Sequence, residues 1–159
     1  MPMSYSRYYI LAGVLGVLAL ALGLLPLSVR SGLGLVGLLI IVLAAVVAFL
    51  AGRTAKGAGA KPVKVGALVG LIYGVLSGIS ILLAPHLTQR QLVRQLQRGH
   101  RPVPSATALK NALSFANSPT LHAVSFVVGA GISVVLGLLI ALIGGATAKP
   151  RGETGAARA

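Results

Sequence analysis

Few side chains in this sequence can do proton or covalent chemistry, so their spacing is the first question. The histidines are His86, His100 and His122. None has a second metal donor at i+3 or i+4, the spacings that place two ligands on one helix face, so a zinc site has no basis. His122 stands at the mouth of an apolar run, where a polar cap is the simpler role. Ser77, in Gly74-Val75-Leu76-Ser77-Gly78, has flanking glycines of the kind that expose a nucleophile at a sharp turn. The spacing is one residue too long for that turn, and the glycines continue a helical period. A serine nucleophile also needs a histidine base, and none accompanies it. Cysteine is absent, which excludes disulfides, iron–sulfur clusters and thiol chemistry. There is 1 acidic residue against 14 Lys and Arg, a net charge of +13. That balance excludes carboxylate-pair catalysis and carboxylate metal cages. The expectation is a protein that is not an enzyme and holds no metal or cofactor.

The elements that would position such residues follow from where the charges fall. Of the 159 residues, 56% are hydrophobic and 9% charged, with a mean hydropathy of +0.93. A soluble domain carries about 25% charged residues. Arg7 to Arg30 leaves 22 uncharged residues, Arg30 to Arg53 another 22, Lys64 to Arg90 25, and Lys110 to Lys149 38. A helix needs about 20 mostly apolar residues to cross a hydrocarbon core roughly 30 Å thick, and such runs must satisfy their own backbone. The expected fold is therefore an all-α integral membrane protein, a single membrane domain over 1–159. Its four spans are placed at 8–29, 33–51, 65–84 and 121–146. Pro26 lies in the last turn of the first span, Gly52 with Arg53 ends the second, Pro85 closes the third and Lys149-Pro150 the fourth. Tyr5, Tyr8 and Tyr9 cluster where aromatic rings favour an interface. A cleaved signal peptide is an alternative for the first span, because Ala19-Leu20-Ala21 has the small-x-small pattern. That triplet lies inside the apolar run, however, and the run exceeds the usual signal core.

Basic residues accumulate on the cytoplasmic side of a membrane. With the N-terminus inside, that side holds Arg7, Arg53, Lys56, Lys61, Lys64, Lys149, Arg151 and Arg158, and the other holds Arg30, Arg90, Arg94, Arg98, Arg101 and Lys110. The short, dense 53–64 loop decides for both termini being cytoplasmic. The Ala, Gly, Leu and Arg usage is that of a GC-rich bacterial genome, so the expected site is a bacterial plasma membrane.

Two spans carry small residues at four-residue spacing. The third has Gly66, Gly70, Gly74 and Gly78; the fourth has Ser125, Gly129, Ser133, Gly137, Ala141 and Gly145. Ala44, Ala48 and Gly52 form a weaker version in the second, and Gly13, Gly16 and Gly23 in the first lack the period. Such rows let another backbone approach closely, which matters in lipid because apolar side chains gain nothing there by meeting each other. The partner is either the other span of the same chain or a second copy. A glycine-zipper hairpin is similar in pattern to the rotor-ring subunits of ATP synthases, but those carry a mid-membrane carboxylate and these spans have none.

Residues 85–120 are too long for an idle turn. His86–Arg98 fits an amphipathic helix with Arg90, Arg94 and Arg98 on one stripe and Leu92, Val93 and Leu96 opposite, stopped by Gly99. Arg101 follows it. Pro102 and Pro104 make an extended joint, and Ser105 is placed to cap a second helix with Leu109, Leu113 and Ala116 on one face. Asn117-Ser118-Pro119 breaks it. A basic amphipathic helix suits the membrane interface, its arginines at lipid phosphates. Nucleic acid is excluded as a partner because no stacking aromatics accompany the basic segments.

The functional expectation is a non-enzymatic accessory or scaffold protein, packed through its small-residue faces and contacting anionic lipid or an acidic partner through the connector. Its expected partners are anionic lipid headgroups, with a homo-oligomer or other membrane proteins. The alternative is an oligomeric channel or facilitator for a neutral solute, lined by Ser77, Ser80, Ser125 and Ser133. A charged substrate is disfavoured because no ionisable Asp, Glu, Lys or Arg lies within a span.

Overall fold

A computed structural model describes residues 5–26, 29, 32–83 and 86–148. Within them the chain forms α1 (Ser6–Leu24), α2 (Gly34–Gly57), α3 (Pro62–Leu82), α4 (Gln89–Arg98), α5 (Ala106–Ala116) and α6 (Pro119–Ala146), with no strand among the described residues. Four of these, α1, α2, α3 and α6, are long and apolar enough to cross a membrane. At 1.5 Å per residue even the 19 residues of α1 reach about 28 Å. The expected features at Leu27, Ser28, Arg30, Ala84, Pro85, Lys149, Pro150, Arg151 and Arg158 lie outside the described residues.

The helix ends differ from the charge-gap spans, each for a local reason. Helix α1 stops at Leu24 rather than running on, because Leu25 precedes Pro26 and takes an extended ψ of 146°. Helix α2 does not stop at Arg53 but continues to Gly57. Its end is set by Gly59, whose φ of 75° lets the Ala60 N–H reach Ala55 O (2.8 Å) and the Gly59 N–H reach Lys56 O (3.0 Å). That pair of bonds is the Schellman arrangement, which a left-handed glycine makes easy. Pro62 and Pro119 occupy the first turns of α3 and α6, where a missing N–H costs nothing.

Helix α3 is the hub, packing on α1, α2 and α6, while α2 also packs on α6 and α1. The interior is built of small and β-branched groups: Ala12, Ala48, Ala51, Ala55, Val65 and Val69 are all buried, and among the described residues no polar or charged one is. The outside is apolar as well. Leu35 is 83% exposed, Val127 66% and Ile10 63%, the reverse of the pattern water imposes. The Tyr8 hydroxyl bonds to Thr54 Oγ1 at 2.8 Å, joining the start of α1 to the end of α2. One end of the bundle therefore gathers Arg7, Arg53, Lys56, Lys61 and Lys64. The opposite end carries the connector helices α4 and α5, which pack on each other.

Candidate functional site

The small-residue rows come together mainly as a seam between α3 and α6 of one chain. A β-carbon on Gly66 would strike Ala141 Cβ and Gly137 O, and one on Gly70 would strike Ser133 O. One on Gly74 would sit 2.7 Å from Ser133 Cβ, and one on Gly78 2.8 Å from the Phe126 ring. All four glycines of α3 are buried. On α6 the row does not stay on one partner. A four-residue step turns about 40° round a helix, so Ser125 and Gly145 differ by about 200°. Gly137 faces Gly66 and Gly70 of α3, Ala141 lies against both Gly66 and Gly52 of α2, and Gly145 meets the Pro62 ring. Gly129 has open space where a β-carbon would be, and Ser125 stays half-buried. Gly144, outside the row, touches the Phe49 backbone. The unpatterned glycines of α1 face α3: Gly16 meets Leu76 and Gly23 meets Ser80.

Gly129 instead lines a cavity. Helices α2 and α6 touch tightly at Gly52 and Ala141. Between them, floored by α3 and walled by α1, lies this cavity of ≈310 Å³. Tyr73, Ser77, Ser80 and Ser133 supply its polar groups, and Leu22, Ile40 and Ile41 face them. Three of the four serines expected to line a solute path thus share one cavity; Ser125 lies outside it. Ser77 Oγ donates to Gly74 O at 3.3 Å, Ser80 Oγ to Ser77 O at 2.7 Å and Ser133 Oγ to Gly129 O at 3.0 Å. The Ser77 hydroxyl is therefore held on its own helix, with no histidine bonded to it. A smaller space of ≈90 Å³ continues past Tyr73 between Ala44, Ala48 and Gly137. Beyond it Ala51, Ala55 and Ala141 are 0% exposed, and the described residues close.

The second feature is the connector. Thr88 and Gln91 bond reciprocally: the Thr88 N–H donates to Gln91 Oε1 (3.0 Å) and the Gln91 N–H to Thr88 Oγ1 (3.4 Å). This capping box starts α4 at Gln89, three residues later than the expected His86. It ends at Arg98, just before Gly99, as expected, although Gly99 is not the left-handed residue. His100 takes the left-handed position, φ 52°, so that the Arg101 N–H reaches Leu96 O at 2.9 Å. Arg90, Arg94, Arg98 and Arg101 are all exposed, and Leu92, Val93 and Leu96 are half-buried. A groove of ≈480 Å³ runs along α4 between Gln89, Arg90, Val93, Arg94 and Gln97. Ser105 caps α5, accepting from the Ala108 N–H at 3.3 Å, and Leu109 is buried.

Two further side chains position the connector, of which the sequence singles out only His122, as a polar cap. Asn117 clamps the Leu87 backbone from both sides, accepting its N–H at 2.8 Å and donating to its carbonyl at 2.9 Å. His122 Nε2 lies 3.1 Å from Ala116 O, capping the end of α5. Among the described residues no group of His, Asp or Glu could hold a metal. Comparison with known proteins found no matching family model, no matching curated protein and no matching solved structure.

Proposed function

We propose that this chain is a non-enzymatic, multi-pass protein of a bacterial plasma membrane, an accessory or scaffold component whose connector holds anionic phospholipid headgroups. The apolar exterior supports the membrane reading, since an outward belt that includes Leu35, Leu38, Leu39, Val127 and Val135 suits lipid and not water. The lipid reading rests on the arginine row. Arg90, Arg94, Arg98 and Arg101 are exposed, and no carboxylate lies among the described residues to neutralise them. Arginine forks match phosphate oxygens in two-point bonds. Phe115, 67% exposed, and Val103, 45% exposed, give the same connector apolar anchors for the acyl boundary. The end bearing Arg53, Lys56, Lys61 and Lys64 is placed in the cytoplasm, with both termini.

Each cation at an anionic surface contributes about 1 kcal/mol, so the four arginines together supply about 4 kcal/mol. The test is native mass spectrometry of the full chain from nanodiscs of phosphatidylcholine doped with phosphatidylglycerol. Enrichment of phosphatidylglycerol is expected, falling away when Arg90, Arg94, Arg98 and Arg101 are changed to Gln. Equal retention by the variant sinks the lipid reading, and an acidic protein co-isolated in place of lipid would move the row to a protein partner. A second reading, an oligomeric facilitator for a neutral solute, draws on the shared cavity of Ser77, Ser80 and Ser133. Within one chain that cavity ends blind, so solute flux from liposomes, scaling with oligomer content, is the observation that reading needs.

A further inference from the structure

The blind cavity has a chemistry of its own, separate from the arginine row. Ala19, Leu22, Gly23, Gly37, Ser80 and Ile81 bring it to the connector end, several of them within the last turn of their helices. From Ile81 to Tyr73 it follows α3 inward for about 12 Å. Along that track stand Ser80, Ser77 and Tyr73, about one helical turn apart, with Ser133 of α6 beside the deepest.

Each serine donates its O–H in a hydrogen bond to a carbonyl of its own helix, at 2.7 to 3.3 Å. What it presents to the cavity is an oxygen with a lone pair to spare, which calls for a donor from outside. The Tyr73 hydroxyl makes no hydrogen bond among the described residues and supplies the complementary donor. Among the described residues no Asp, Glu, Lys, Arg or His lines the space, so a charged guest would be left unpaired by them at a cost far above any contact it gains. A purely apolar guest would leave the oxygens unused. The facing wall of Leu22, Ile40 and Ile41 fits C–H surface. At about 30 Å³ per water-sized group, ≈310 Å³ holds about ten such groups, the size of a five-carbon polyol.

We propose that this cavity binds a small uncharged polyhydroxy group, supplied by a free polyol or by the glycerol headgroup of a neutral lipid. The α3 track of Ser80, Ser77 and Tyr73 reads the hydroxyls, and α1 and α2 cover the carbon face. The inference uses the membrane reading above only for the medium of its test.

The experiment takes the full chain in phosphatidylcholine nanodiscs with radiolabelled xylitol, and separately with monoacylglycerol doped into the bilayer. Saturable xylitol retention is expected, weakened roughly 3- to 10-fold by Tyr73→Phe and by Ser77→Ala, as for one lost hydrogen bond each. Xylonate, the same skeleton with a carboxylate, is expected not to compete. Xylitol retention unaffected by monoacylglycerol assigns the free solute. Monoacylglycerol carried through native mass spectrometry by the wild type and lost by Tyr73→Phe assigns the headgroup. Retention of neither probe overturns the proposal, as does equal binding by Tyr73→Phe or competition by xylonate. Tyr73→Phe keeps the ring and its packing, so it carries the test if Ser77→Ala fails to fold. A chain that does not enter discs marks failure of the membrane reading, seen before any probe is added, and the same measurements are then made in detergent.

Discussion

At the scale of single residues, identical positions in a sequence pattern have opposite physical standing. Gly70 and Gly129 each sit in a four-residue row, yet a β-carbon on the first collides with the Ser133 carbonyl and one on the second meets nothing. Gly70→Ala forces two backbones apart and is expected to cost about 1–3 kcal/mol, as overpacking does. Gly129→Ala is expected to be neutral or to stabilise α6 by about 0.5–1 kcal/mol, the ordinary gain of Ala over Gly in a helix. Thermal unfolding of the two variants in one detergent compares them directly, and equal destabilisation would contradict the seam. His100 offers the converse case, a side chain where glycine is favoured. His100→Gly relieves its left-handed backbone, by about 1 kcal/mol, and should slow hydrogen exchange at the Arg101 amide. A faster exchange there would contradict the cap.

At the scale of elements, the connector depends on side chains that bond to backbone. Asn117→Ala removes both bonds to Leu87, each typically contributing about 0.5–1.5 kcal/mol. Hydrogen exchange at Leu87 and across 88–98 should then accelerate while α1, α2, α3 and α6 keep their protection; unchanged exchange at Leu87 would refute the clamp. The four long helices were legible in the sequence because gaps between charges measure apolar length directly. Their ends were less so. Arg53 marks where apolar character stops, but a helix ends where its carbonyls find other partners, here at Gly59 six residues on. The box at Thr88 and Gln91 was readable, since Thr-x-x-Gln is its signature. The double bond from Asn117 to Leu87 was not, because 30 residues separate its partners. The seam could be anticipated from spacing, with its partner left open. The cavity could not, because residues of α1, α2, α3 and α6 line it together, and no one helix encodes how the four meet.

At the scale of the whole molecule, the bundle of four long helices is apolar on both its inner and outer surfaces. Val135, 56% exposed in the middle of α6, shows what that implies. On a protein in water, Val135→Lys would be harmless at such a surface. In a bilayer centre a lysine costs about 2.5–3.5 kcal/mol on insertion scales. The variant is therefore expected to fall in membrane-fraction yield, and wild-type yield would argue against a lipid-facing surface. A reporter fused at Ala58 should read as cytoplasmic and one at Ser105 as external; the reverse inverts the molecule. The seam described above also dictates an order of assembly. The α2–α3 hairpin closes over the short turn at Gly59, so it can form as soon as those residues are made. The groove of α3 finds α6 only after the connector, so for that interval Gly66, Gly70, Gly74 and Gly78 are left without their partner. The chain is consequently suited to complementation: cut in the exposed Pro102–Pro104 joint, the two pieces retain every glycine contact between α3 and α6 and should recombine when synthesised together.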